Sequence, residues 1–145
     1  MGITSEICNS FKQEILEAEH NFTAAPTGNT FNLALYDSGA DLSKTTTAYT
    51  TSEELATTGG YTAKGNALTS VTPVLDSDTA VCDFANTSWT SASFTARGCL
   101  IFNDSHASDA SVCAIDFGGD KTVTSGTFTI EFPAAAASTA IIQIA

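Results

Sequence analysis

Ser105, His106 and Asp109 place a hydroxyl, an imidazole and a carboxylate in one short stretch. These are the side-chain types of a nucleophile, its base and the base's orienting acid. The G-x-S-x-G elbow that would raise such a serine on a strained turn is missing, and the stretch reads as a surface turn. The other histidine, His20, falls at the end of a predicted helix. Asp76-Ser77-Asp78 and the pair Asp104/Asp109 could offer oxygen ligands to calcium. The EF-hand spacing, with its glycine and closing glutamate, is absent, and solvated turn aspartates account for both. Gly118-Gly119-Asp120-Lys121 resembles a fragment of a phosphate loop but lacks the leading glycine, the Gly-Lys-Ser/Thr order and a following helix. Cys8, Cys82, Cys99 and Cys113 form no C-x-x-C pair and no zinc spacing. They read as small buried hydrophobes, with a disulfide between neighbouring strands left open. Asn21, Asn86 and Asn103 open N-x-[S/T] sequons that carry little weight in a chain so rich in serine and threonine. No catalytic residue, metal ligand or cofactor site is expected, and the chain reads as a non-enzyme.

Arg97, the only arginine, sits in the best-patterned stretch, S-F-T-A-R-G-C-L-I-F-N at 93–103. Phe94, Ala96, Gly98, Leu100 and Phe102 alternate with Thr95, Arg97, Cys99, Ile101 and Asn103, the period of a strand. The second face is only half polar, so the strand belongs near the middle of a sheet. A guanidinium there must find carboxylates or carbonyls. An intrachain bridge to Asp116 or Asp83, and a pair across a subunit boundary, are both open.

The other elements are placed around this strand. Ile3, Ile7, Phe11 and Ile15 step by four, predicting a helix over 4–20 capped by Thr4 or Ser5, with Glu6 in its first turn. Glu14, Glu17 and Glu19 crowd its C-terminal half, the wrong end for the helix dipole, so the helix needs a partner surface. Strands are predicted at 30–36, 66–75, 79–85, 110–117, 127–132 and 140–145. Asp76-Ser77-Asp78 turns a hairpin, and Pro73 marks an edge strand. The segment 86–90, with the only tryptophan, Trp89, reads as a polar connection, and Gly118-Gly119-Asp120 as a strand end. In the threonine-rich stretch 37–60, a helical turn is expected at Ser52-Glu53-Glu54-Leu55, and the stretch is the expected excursion from the sheet. The fold class is therefore mainly β: an antiparallel β-sandwich or jelly-roll-like barrel with an N-terminal α-helix, about seven to nine short strands in all. The helix occupies 1–22 and the sandwich 23–145, forming one structural domain.

A net charge of −11 argues against nucleic acid and against anionic membranes as partners. It favours solubility at high copy number. No apolar run reaches the roughly 18 residues of a membrane span. The opening M-G-I-T-S-E has no basic stretch leading into an apolar core, and Glu6 stands where a myristoylation motif needs Ser or Thr. Synthesis in a cytoplasm is expected.

Longer stretches carry a family likeness: I-C-N-S-F-K-Q-E-I-L-E-A-E-H-N-F at 7–22, T-F-N-L-A-L-Y at 30–36, A-Y-T-T-S-E-E at 48–54 and G-G-Y-T-A-K-G at 59–65. It continues through the 93–103 stretch, D-F-G-G-D-K at 116–121, F-T-I-E-F-P-A-A at 128–135 and A-I-I-Q-I-A at 140–145. The chain resembles, nearly end to end, small structural proteins of tailed bacteriophages, many from aquatic hosts. The resemblance implies a capsid decoration or cement protein on the outer capsid surface, bound to the major capsid protein. Such proteins often act as homo-oligomers, including trimers, and stabilise the lattice. The alternative is a tail, neck or fibre-associated structural or adhesion module. On this reading the contact elements are the helix, through Ile7, Phe11 and Ile15, and the loop 37–60, through Tyr49, Glu53 and Glu54. Arg97 is the candidate intersubunit charge. A carbohydrate-binding module would want exposed aromatics, for which Tyr49, Tyr61 and Trp89 are the candidates.

Overall fold

The alternation at 93–103 is the inner half of a much longer strand. The computed structural model describes residues 2–145. Its elements are β1 (Glu6–Ile7), α1 (Asn9–Leu16), β2 (Phe31–Tyr36), β3 (Asn66–Ala67), β4 (Ser70–Asp76), β5 (Thr79–Phe84), β6 (Thr87–Asn103), β7 (Ser111–Ile130) and β8 (Ile142–Ile144). One sheet runs β1-β7-β6-β2-β3, and a smaller one runs β4-β5-β8. All named pairings are antiparallel. The fold is sandwich-like. Phe31, Leu33, Cys99 and Ile101 of the large sheet share one core with Cys82, Phe84 and Ile142 of the small one.

The large sheet is covered on its other face too. Tyr36, Leu100, Phe102 and Ala114 form a second cluster with Ala40 and Leu42 from the threonine-rich segment, and Ile3 and Tyr49 pack against it. Every residue of β2 is consequently buried. The segment expected to leave the sheet instead lies across it, held by bridges of Leu42 to Ile3, Ala48 to Ala110 and Glu54 to Tyr36. The physical reason is the apolar content of the face beneath, which a flat polar loop could not have left open to water.

Three other expectations are corrected. The helix begins at Asn9 and ends at Leu16, rather than covering 4–20. Glu6 and Ile7 pair with Ala114 and Cys113, and the Cys8 N–H donates to Val112 O, so the sheet consumes these backbone groups before a helix can start. The predicted caps, Thr4 and Ser5, therefore cap nothing, and the Ser5 hydroxyl accepts from Asp116 N–H instead. Trp89 is not on a connection; it is buried in β6. Gly118-Gly119-Asp120 does not end a strand. Opposite Ala96 stands Lys121 and opposite Gly98 stands Asp116, so two steps along β6 answer to five along β7. Gly118, at φ +76, turns this bulge.

The bulge also corrects the facing of β6. Phe94 and Ala96 point to the main core, as do Cys99 and Ile101, while Leu100 and Phe102 point to the second cluster. Strict alternation slips by one residue at Arg97. The inserted residues lie on β7, and β6 changes face at Arg97 directly opposite them.

Candidate functional site

Two arrangements stand out: a polar clamp over the second cluster and an apolar groove beside α1. The clamp is built on Glu54. One carboxylate oxygen accepts from Tyr49 Oη at 2.5 Å, and the other accepts from Tyr61 Oη and Lys64 N–H, both at 2.7 Å. The Lys64 ammonium lies 2.8 Å from Asp104 Oδ1 and 2.9 Å from Asp109 Oδ2. It also lies over the rings of Tyr49 and Phe102. The two aspartates hold its pKa above the ordinary lysine value. Glu54 accepts three hydrogen bonds and the Lys64 ammonium bridges two aspartates, so the clamp ties the crossing segment to the turn at 104–109.

The sequence-level triad is not assembled. The Ser105 hydroxyl accepts from Thr30 N–H, His106 Nδ1 accepts from Ser108, and Asp109 faces Lys64. Among the described residues, no cluster of three His, Cys, Asp or Glu side chains could hold a metal ion. All four cysteines are free and buried. Burial pushes their thiols up, those of Cys82 and Cys113 to about 12.

The groove forms where α1 stops. Leu16 is followed by Glu17 and then Ala18 at φ 62. Glu19 N–H returns to Glu14 O and Ala18 N–H to Ile15 O, a Schellman closure. This reversal brings His20 and Phe22 beneath the helix. His20 donates from Nε2 to Glu14 Oε2 at 2.7 Å and accepts at Nδ1 from Asn103 Nδ2 at 3.1 Å, a tautomer assigned from these partners. Its ring lies 4.9 Å from Phe11 and is stacked near Phe22 and Phe31. Phe11, His20 and Phe22 thus make the floor of a cavity of about 430 Å³, and Val81, Cys82 and Ile142 make its far wall. Pro73 and Ile144 stand at the mouth. Of the groove's lining residues Ile144 is 58 % exposed, and elsewhere the chain leaves Leu16 88 %, Leu75 73 % and Val74 55 % exposed.

The predicted contact residues fall in different places. Phe11 is a core residue, and Ile15 is half-buried in the groove wall. Ile7 is half-buried on β1 against the core. Tyr49 and Glu54 belong to the clamp, with Tyr49 stacked on Phe102 at 4.7 Å, so both are taken up inside the chain. Glu53 alone of the seven is fully at the surface, at φ 59. Arg97 is paired intrachain, with Nε 3.0 Å from Asp116 Oδ1 and NH1 3.7 Å from Asp120 Oδ1. Tyr61 and Trp89 are 2 % and 4 % exposed, which removes the aromatic platform a carbohydrate-binding surface needs. Sequence reasoning missed the rim of the groove. Only the fold brings Phe11 and Ile15 of α1 opposite Val81, Ile142 and Ile144.

Comparison with protein-family models, with curated proteins and with solved structures returned no match.

Proposed function

We propose that the chain is a virion structural protein of a tailed bacteriophage, a decoration or cement protein that binds the outside of the capsid lattice and stabilises it. Its work on this reading is binding, with the major capsid protein as partner and a homo-oligomer, such as a trimer, as the bound form. The observation that carries the reading is the contrast between a closed core and an apolar groove that reaches the exposed Ile144, with Leu16, Val74 and Leu75 also left exposed on the surface. Exposed apolar patches on a soluble chain mark surfaces that meet another protein. The long β6–β7 pair supplies a stiff platform for such a surface, and symmetric copies would multiply weak contacts by avidity. The net charge of −11 suits a protein that stays dispersed until it adds to a shell and disfavours nucleic acid as the ligand. Among the described residues, no helix is long and apolar enough to cross a membrane. The sequence resemblance to phage structural proteins is what directs the reading towards a virion rather than another assembly.

Cryo-electron microscopy of purified virions, with copies counted per particle, tests the proposal. Density repeated at every lattice position is the expected result. Density confined to the neck, tail or fibres, or no density at all, overturns it.

A further inference from the structure

We infer that the groove between α1 and the β4-β5-β8 sheet receives a partner segment with a bulky apolar anchor flanked by lysine or arginine. The inference deepens the reading of the chain as a binding protein and does not depend on the virion.

The apolar part follows from the lining. Phe11, Phe22, Val81 and Ile142 present carbon surface, and the one titratable ring in the floor, His20, has both nitrogens engaged. Small-molecule sites of this size normally add a few free polar groups that orient the ligand. None is left over on His20, Asn21 Oδ1 is taken by Thr23 N–H, and the lining continues onto the exposed Ile144. A surface that begins in a cavity and spreads over its rim fits a side chain carried on a larger partner.

The cationic part follows from the charges at the rim. Glu17, which accepts from Gln13 Nε2, and Glu19, 3.5 Å from His106 Nε2, flank the groove-lining Ala18, and α1 has no basic residue in its last turn. The helix's own C-terminal carbonyls add to the negative field there. Across the groove, Leu75 opposes the groove-lining Ala80 in the β4–β5 hairpin, with Asp76 and Asp78 at its turn. Lys12 is the one cation nearby on α1, and it donates to Asn9. Cationic groups beside an apolar anchor would meet these carboxylates within a Debye length.

The same charges argue against a second copy of this chain. Two of its most exposed apolar side chains carry acids with them, Leu16 beside Glu17 and Leu75 beside Asp76. Seating either in the groove would set carboxylate against carboxylate.

The test uses two synthetic peptides with the same Leu-Trp-Leu anchor, one flanked by lysines and one by glutamates, titrated against the full chain. The lysine peptide is expected to bind saturably, at least about ten-fold tighter than the glutamate peptide, and to weaken as salt is raised. Ile144→Glu, at an exposed groove-lining position, should weaken it by about ten-fold, and Glu17→Lys should narrow the preference between the peptides. Should a variant fail to fold, chemical-shift changes on the unaltered chain give the answer, and they should centre on Phe11, Phe22, Ile142 and Ile144. Equal affinity for the two peptides, shifts elsewhere, or a dimer that Ile144→Glu dissolves would each overturn the inference. A chain that decorates a capsid by another face would fail this test while keeping its lattice density. The two proposals therefore fail separately.

Discussion

Tyr61 Oη stands 2.7 Å from Glu54 Oε1 and at the same time accepts from the Leu35 N–H at 3.0 Å. The hydroxyl takes the place of a strand. β3 covers the outer edge of β2 only at Asn32 and Leu33. Beyond it, Tyr61 satisfies Leu35 N–H while Leu55 N–H satisfies Leu35 O. Tyr61→Phe keeps the ring and removes the oxygen. It leaves a buried backbone donor unpaired and takes one of three donors from Glu54. A loss of about 1–3 kcal/mol in unfolding free energy is expected from denaturant titration. An unchanged midpoint would mean that water replaces the phenol there.

All three tyrosines of the chain, Tyr36, Tyr49 and Tyr61, have phenol pKa values raised, first by burial and then by Glu54. In the unfolded chain they ionise near the ordinary value of about 10. Below that pH neither state is ionised, and the contribution of the protonated phenols is complete. Above it the unfolded state loses protons first, and stability falls as pH rises towards the folded values. Absorbance of phenolate should therefore stay flat through pH 10 and then rise in one steep step, coincident with loss of the far-ultraviolet β signal. A gradual rise centred at pH 10 on a folded chain would contradict the burial of these groups.

The cysteines give a parallel readout by reactivity. The thiolate is the reactive form, and Cys8, Cys82, Cys99 and Cys113 are all buried with pKa values pushed upward. An aromatic disulfide reagent at pH 8 should label almost none of them in the native chain and all of them in denaturant. The labelling rate should then track the population of open molecules. Fast labelling of one thiol under native conditions would locate a local opening.

The alternating apolar residues at 30–36, 79–85 and 127–132 made these strands legible, as did the Asp76-Ser77-Asp78 turn and the edge role of Pro73. Asp116, one of the two partners expected for Arg97, is found against it, together with Asp120, which was not expected. What escaped was non-local. Ile3 and Ile7 fit a helical stripe and a sheet edge equally well, and only the free edge of β7 at Cys113 and Ala114 decides between them. The threonine-rich segment shows no period, because its contacts with the second cluster come from single residues such as Leu42 and Tyr49. The groove could not be read at all, since its floor and its far wall lie more than a hundred residues apart between Phe11 and Ile142. Alternation likewise cannot reveal a bulge, so the change of face at Arg97 had no local signal beyond Gly98 and Gly118.

Ala18 offers the cleanest test of the turn that shapes the groove. It occupies the left-handed position after α1, at φ 62, where glycine is the usual residue. A side chain there costs about 1–2 kcal/mol from the approach of Cβ to the following carbonyl. Removing that Cβ in Ala18→Gly recovers most of the cost. The gain is offset by the greater freedom of glycine in the unfolded chain, about 0.5–1 kcal/mol. A net stabilisation of about 0.5–1 kcal/mol is expected, or a rise of about 2–4 °C in thermal midpoint per kcal/mol. Ala18→Val should move the midpoint the other way, because a β-branched residue is worse still at positive φ. Were the chain instead helical through 18, as the spacing of Ile7, Phe11 and Ile15 suggested, glycine would lower the midpoint. The direction of the shift in Ala18→Gly thus separates the closed turn from a continued helix.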